Sequence, residues 1–325
     1  MLGHTGRQAH FGWAVIACSL ALSLTACGGG DSTDTTSRGT VAATVAPGGN
    51  STGTAAPTDE FEPQTFVVEH AVWHSGFKID VSEGEFSRVE AGLSRELRYF
   101  VTLQVSYENL GPFDTFFDAQ MALVADGNSF VYDNFGGDSV GSGLSSRAEL
   151  TFRVDEDFDI SGAQLLIGSA DETKAVIPFG PNGGDLITLE PTDIAVAGSL
   201  EMELIDLEFT GGDLRYDVLA NYRQVDSGEM ALTLTFDATS RKGGNWSIHP
   251  QNFTLVQPDG KTIGLDGSEL ANLPGSDAGT TTSDQQIRFL VDDPASGTYS
   301  VLFSPGSWFI GEDEVTEASF EFTID

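Results

Sequence analysis

Cysteine is almost missing from this chain of 325 residues, with only Cys18 and Cys27 present. A disulfide framework is therefore excluded, and the folded part must rest on its apolar core alone. Cations are also scarce: 15 Lys plus Arg stand against 49 Asp plus Glu, a formal charge of −34. Nucleic-acid binding needs clustered cations, but beyond the first 26 residues lysine occurs only at the scattered positions 78, 174, 242 and 261. Nucleic acid is excluded as a partner, and anionic surfaces repel the chain for the same reason. The acidic excess reads as a solubilising surface suited to salty surroundings, with cation sites or a face for a basic partner as the functional alternative. Long apolar runs are absent too. The longest, Trp13 to Leu24, has 12 residues, and a spanning helix needs roughly 20.

That run has the layout of an export signal, with Arg7 before it and small residues after it. Leu24-Thr25-Ala26-Cys27 resembles the lipobox of bacterial lipoproteins at all four positions. The resemblance implies cleavage after residue 26, a diacylglyceryl thioether on Cys27 and stable anchoring to a membrane through two or three acyl chains. Arg7 leaves with the signal, so the mature charge becomes −35, one cation fewer than the full chain's −34. Gly28 follows the cysteine. The expected location is the cell envelope facing the exterior, on the outer membrane if the source has two membranes.

Residues 27–60 form the next unit. From 28 to 60 there are 11 Ser or Thr in 33 residues and no aromatic, too little apolar area to offset ordering entropy. This segment is expected to be a disordered tether with a span on the order of 30 Å.

From Phe66 onward the hydrophobic period is two, the mark of strands with one buried face. Leu97, Tyr99, Val101, Leu103, Val105 and Tyr107 alternate with polar residues, with Phe100 out of step, and Phe77, Ile79 and Val81 do the same. Turn chemistry such as Asp126-Gly127 and Ser161-Gly162 separates the strands. The order then repeats. Val101 to Tyr107 match Leu232 to Phe236; Met121 to Gly127 match Thr254 to Gly260; Leu150 to Asp155 match Ile287 to Asp292. Ser161-Gly162 before Leu165 matches Ser296-Gly297 before Val301, and a last strand, Leu186 to Leu189, matches Phe320 to Ile324. The fold class is all-β: two tandem β-sandwiches, residues 61–191 and 192–325, with their boundary near Pro191.

The long third strand running into Tyr107-Glu108-Asn109-Leu110-Gly111, with the later Leu123-Val124-Ala125-Asp126-Gly127 hairpin, resembles the immunoglobulin-like (telokin-like) domains of bacterial surface lipoproteins. The resemblance implies fold and location. It offers no catalytic residues.

Candidate chemistry is sparse. Gly137-Asp138-Ser139-Val140-Gly141 has the form of a hydrolase nucleophile elbow, but that motif needs a helix after the turn, and the strand Ala148 to Val154 follows. Ser139 is thus expected in a glycine-rich loop, and a serine hydrolase is the lesser alternative. His70 and His74, four apart on a strand, would hold their rings roughly 13 Å apart, too far for one metal, and are expected to be surface or partly packed. Asp155, Asp157 and Asp159 reproduce the first three ligand positions of a calcium loop, but Ile160 and Leu166 stand where its turn glycine and closing glutamate belong. Calcium is the one ion these residues suit, there or at Glu312-Asp313-Glu314, and no other cofactor is implied. Trp73 and Trp308 are expected in the core. Trp246, in the polar Lys242 to Ser247 loop, is the candidate contact residue. The expected function is a non-catalytic binding, adhesion or envelope-organising module whose partner is an unknown extracellular protein or glycan, with a purely structural spacer as the alternative.

Overall fold

The computed structural model describes residues 61–91, 96–135, 137–243, 247–266, 273–274, 277–304 and 317–325. Cys27, the tether, Trp246, Trp308 and the Glu312 to Glu314 run lie outside the described residues. The chain is all-β and sandwich-type. Its first half contains β1 (Gln64–His74), β2 (Phe77–Ala91), β3 (Glu96–Asn109), β4 (Met121–Ala125), β5 (Asn128–Phe135), β6 (Ser145–Val154), β7 (Gln164–Ile167) and β8 (Ala175–Pro178). The second contains β9 (Thr192–Ile194), β10 (Gly198–Glu201), β11 (Ile205–Arg215), β12 (Asp217–Val218), β13 (Arg223–Gln224), β14 (Glu229–Ser240), β15 (Ser247–Ile248), β16 (Phe253–Val256), β17 (Thr262–Gly264), β18 (Leu273–Pro274), β19 (Thr281–Asp292), β20 (Gly297–Phe303) and β21 (Ala318–Ile324).

The first sheet runs β1-β2-β3-β6-β5-β4-β7-β8. It folds over on itself because β5 changes partner along its length. Asn128 to Val131 pair with β4, whereas Tyr132 to Phe135 pair with β6 across a register shift. The far edges are stitched by residues 187 and 188, through a bridge from Ile187 to Val176 and a bond from Trp73 N to Thr188 O (2.8 Å). The second half has the same plan in two separate sheets: β10-β11-β14-β19, with β9 also on β11, and β17-β16-β20-β21. Thus β2-β3-β6 corresponds to β11-β14-β19, and β5-β4-β7-β8 to β17-β16-β20-β21. The repeat expected from the sequence follows this correspondence except at its end. β8, not Leu186 to Leu189, occupies the place of β21; the latter residues form the stitch instead.

Alternation explains the cores. On β3, Tyr99, Val101, Leu103, Val105 and Tyr107 are buried and their neighbours are not, and each large apolar side chain so enclosed contributes roughly 1.5–3 kcal/mol. One cluster extends from Val68 to Leu189 and a second from Val196 to Ile324, so Pro191 falls between them. Both belong to one compact unit, Asp59–Asp325. β14 departs from alternation, since Met230 to Leu234 are buried consecutively. Val218 and Val225, flanking a hairpin formed by β12 and β13, cover Ala231 on what would otherwise be the open face of the sheet.

Candidate functional site at the junction of the two halves

The most constrained polar region is where that hairpin meets the first sandwich. The β1–β2 turn is Ser75-Gly76, both in the left-handed region (φ 49° and 78°), a tight reversal that glycine permits at little cost. Its two N–H groups are taken by the other half. Ser75 N donates to Gln224 Oε1 (2.9 Å) and Gly76 N to Asp217 Oδ2 (2.6 Å). Asp217 is only 3% exposed and also accepts from Arg215 Nε (2.7 Å). A second strip lies alongside: Gln224 Nε2 donates to Thr173 O (3.1 Å), Thr173 N to Val225 O (3.2 Å) and Ser227 N to Asp171 O (2.9 Å).

Tyr222 sits at the centre. It follows the short 3-10 turn Leu219–Asn221 with φ 56°, which projects its ring from the hairpin into the first sandwich. The ring lies 5.9 Å from that of Phe77. Two glycines make room for it: a Cβ built on Gly76 would stand 2.9 Å from the ring, and one on Gly111 2.4 Å. The hydroxyl accepts from Phe113 N (2.9 Å) and donates to Phe113 O. One side chain therefore satisfies both main-chain groups of a residue in the other half.

Behind this contact lies His74, 1% exposed. Its Nδ1 is 2.9 Å from Ser75 Oγ, and its Nε2, with no hydrogen-bond partner among the described residues, is 4.0 Å from Glu172 Oε2. Burial lowers its pKa to about 4, against the opposing pull of Glu172 and Asp217. The ring is neutral near pH 7, so the separation from Glu172 is an ion pair only in acid. On β11, Asp213 shows the opposite effect. Burial raises its pKa to about 6 although Arg215 and a bond from Thr233 oppose this; Asp217 and Asp193 reinforce it.

The sequence-derived candidates lie elsewhere. Asp155, Asp157 and Asp159 are all exposed at the end of β6. Asp159 is engaged by Ser161 N (2.9 Å) and Ser161 Oγ (2.7 Å), capping the turn Ile160–Gly162, and these bonds lower its pKa. Among the described residues no three His, Cys, Asp or Glu side chains are gathered as metal ligands. Ser139 is exposed in a loop bridged by Val140 to Thr115, and β6 follows it. Two expectations are corrected. Trp73 is only half-buried, facing outward with Lys78 Nζ 5.7 Å from its ring centre, because Val72 and His74 take the inward positions of β1. His74 is accordingly interior, and its even-numbered phase with Val68 and Val72 was the available signal. Tyr222, Asp217 and Gln224 were also missed. Their signal is the 13-residue interval 216–228 between β11 and β14, which has no counterpart of that length between β2 and β3.

No family model matches the chain, and no curated protein does. Among solved structures it is similar to a functionally unknown protein from Listeria monocytogenes EGD-e, 18% identical over 37% of this chain and 88% of that one, with a TM-score of 0.31. A conserved hypothetical protein from Bacillus anthracis is 12% identical over 36% of this chain and 99% of that one, with a TM-score of 0.27. No helix among the described residues is long and apolar enough to cross a membrane.

Proposed function

We propose that this chain is a lipid-anchored protein of the cell surface whose two immunoglobulin-like sandwiches act as one rigid binding module. Cys27 carries the lipid, residues 27–60 set the folded part away from the bilayer, and the loops do the contacting, as is usual on sandwiches. The observation that carries the rigid part is the insertion of Tyr222 between Gly76 and Gly111, with its hydroxyl on both main-chain groups of Phe113. A junction of this kind resists bending because movement would withdraw the Tyr222 ring from Phe77 and break the buried bond from Gly76 N to Asp217. It presents both sets of loops in one fixed arrangement. Two measurements test the reading. Alkyne-palmitate labelling in the source cells is expected for the native protein and not for Cys27→Ser. X-ray scattering is expected to give a single narrow distance distribution that broadens in Tyr222→Ala. A protein labelled equally without Cys27, or equally flexible with and without Tyr222, would refute the corresponding part.

A further inference from the structure

Two loops at the junction end of the first sandwich, bonded to each other, carry exposed apolar side chains. Residues 110–118 bear Phe113 and Phe116, 63% and 65% exposed, and residues 137–144 bear Leu144, 62% exposed. Isolated exposed apolar residues are ordinary; three on loops knit to each other are not. The knitting is extensive. Thr115 and Val140 exchange main-chain bonds (3.1 and 2.8 Å), Ser142 Oγ donates to Gly111 O (2.7 Å), and Asn109 Nδ2 donates to Phe113 O (2.7 Å) and Val140 O (2.8 Å). Phe117 anchors the first loop inside the core, 5.3 Å from the ring of Phe77, while its neighbour Phe116 is left outside. Tyr222 clamps the main chain of Phe113 from the other half. The patch is thus held in place before any partner arrives, which lowers the ordering cost of binding.

The charge around it indicates what it would meet. Asp114, Asp118 and Asp138 are exposed on the same two loops, and neither loop contains Lys, Arg or His. A second copy would bring the same acids, and another formal charge of −34, against them. We propose that this loop end docks a basic, apolar-rich peptide segment of a partner protein. Phe113, Phe116 and Leu144 take the apolar side chains, as aromatic anchors do at binding hot spots, and the three aspartates attract the cations. This rests on the reading of the chain as a binding module and names its partner class.

The test uses the full chain and two labelled peptides, one alternating Lys with Leu and Trp, the other identical with Glu for Lys, followed by fluorescence anisotropy. The Lys peptide is expected to bind and the Glu peptide not to. Phe113→Ser with Phe116→Ser should weaken the Lys peptide about tenfold or more. Asp114→Asn with Asp118→Asn and Asp138→Asn should weaken it and flatten its salt dependence. The substituted side chains are exposed, so an unchanged melting temperature certifies the fold. Failure of the Lys peptide to bind, equal binding by both Phe-substituted and native chains, or equal binding of the Glu peptide would each overturn the proposal while leaving the rigid two-sandwich reading untouched. Self-association in sedimentation that disappears with Phe113→Ser and Phe116→Ser would overturn it in favour of a second copy.

Discussion

In the first sandwich β2 passes to β3 across residues 92–95, whereas in the second the equivalent strands, β11 and β14, are separated by residues 216–228, which hold a hairpin. The main sheet strands otherwise correspond, apart from β9 and the short β15-β18 pair, which have no counterpart among the described residues of the first half. That one lengthened connection accounts for most of what distinguishes the halves. It covers the outer face of β14, brings Asp217 and Gln224 to the Ser75-Gly76 turn, and supplies the side chain for which Gly76 and Gly111 leave space. A repeat can acquire a joint by inserting residues in one copy and removing side chains in the other.

Removing the inserted side chain should break this division most. Tyr222→Ala takes a ring off Phe77 and leaves Phe113 N without its partner, while Phe113 O keeps only the bond from Asn109 Nδ2, at a cost of about 3 kcal/mol, the low end for aromatic-to-alanine truncation because Tyr222 is only partly buried. Calorimetry is expected to resolve one melting transition into two, one per sandwich. Retention of a single transition at the native temperature would show that the halves are coupled by something else.

The next effect compares the halves by pH. His74, with its folded pKa about 4 below an ordinary 6.5, favours the folded state fully above pH 6.5, and this is lost as pH falls toward 4. Asp213, raised from 3.8 to about 6, favours the folded state fully below pH 3.8, and this is lost as pH rises through 6. Each amounts to roughly 3 kcal/mol at about 1.4 kcal/mol per pKa unit. The two oppose each other over the same window, so native stability should be nearly flat from pH 4 to 6.5 as far as these groups decide it. Denaturant titrations should show His74→Gln gaining stability as pH falls from 6 to 4, and Asp213→Asn losing it. Parallel slopes in the two variants would contradict this assignment.

A smaller change sharpens the fit of ring to socket. Gly111→Ala sets a methyl 2.4 Å from the Tyr222 ring and should cost about 2 kcal/mol. Gly127→Ala, at φ 79° with nothing nearby, should cost about 1 kcal/mol from backbone strain alone. In a Tyr222→Ala background the Gly111 penalty should largely vanish and the Gly127 penalty should not, a double-mutant cycle that isolates the contact. The smallest effect belongs to Asp159→Ala. It removes the cap on Ile160–Gly162 at a fully exposed position, and a melting curve should move only slightly.

Most strands were legible because their burial is one-sided, β14 with its run of buried residues being the exception. Val101 to Tyr107 alternate without a break, and the corresponding stretches of the second half repeat the order. The last strand was misassigned because Leu186 to Leu189 is as apolar as Ala175 to Pro178, and composition does not say which of two short runs lies in the ladder. The junction was not legible. Its residues are a tyrosine, an aspartate, a glutamine and two glycines scattered between positions 76 and 224, and nothing local marks them as neighbours. His74 was within reach through its phase on β1, which it shares with the buried Val68 and Val72.

Because Tyr222 and the two glycines that receive it belong to different halves, each half is fitted to the other at this one point. A relative that exchanged its first sandwich for one with a side chain at position 111 would inherit a lock without its keyhole. Trimming Tyr222 would then relieve the clash at position 111. Ancestry should therefore show the pair changing in step, and the two repeats, alike in plan, should not travel separately between proteins.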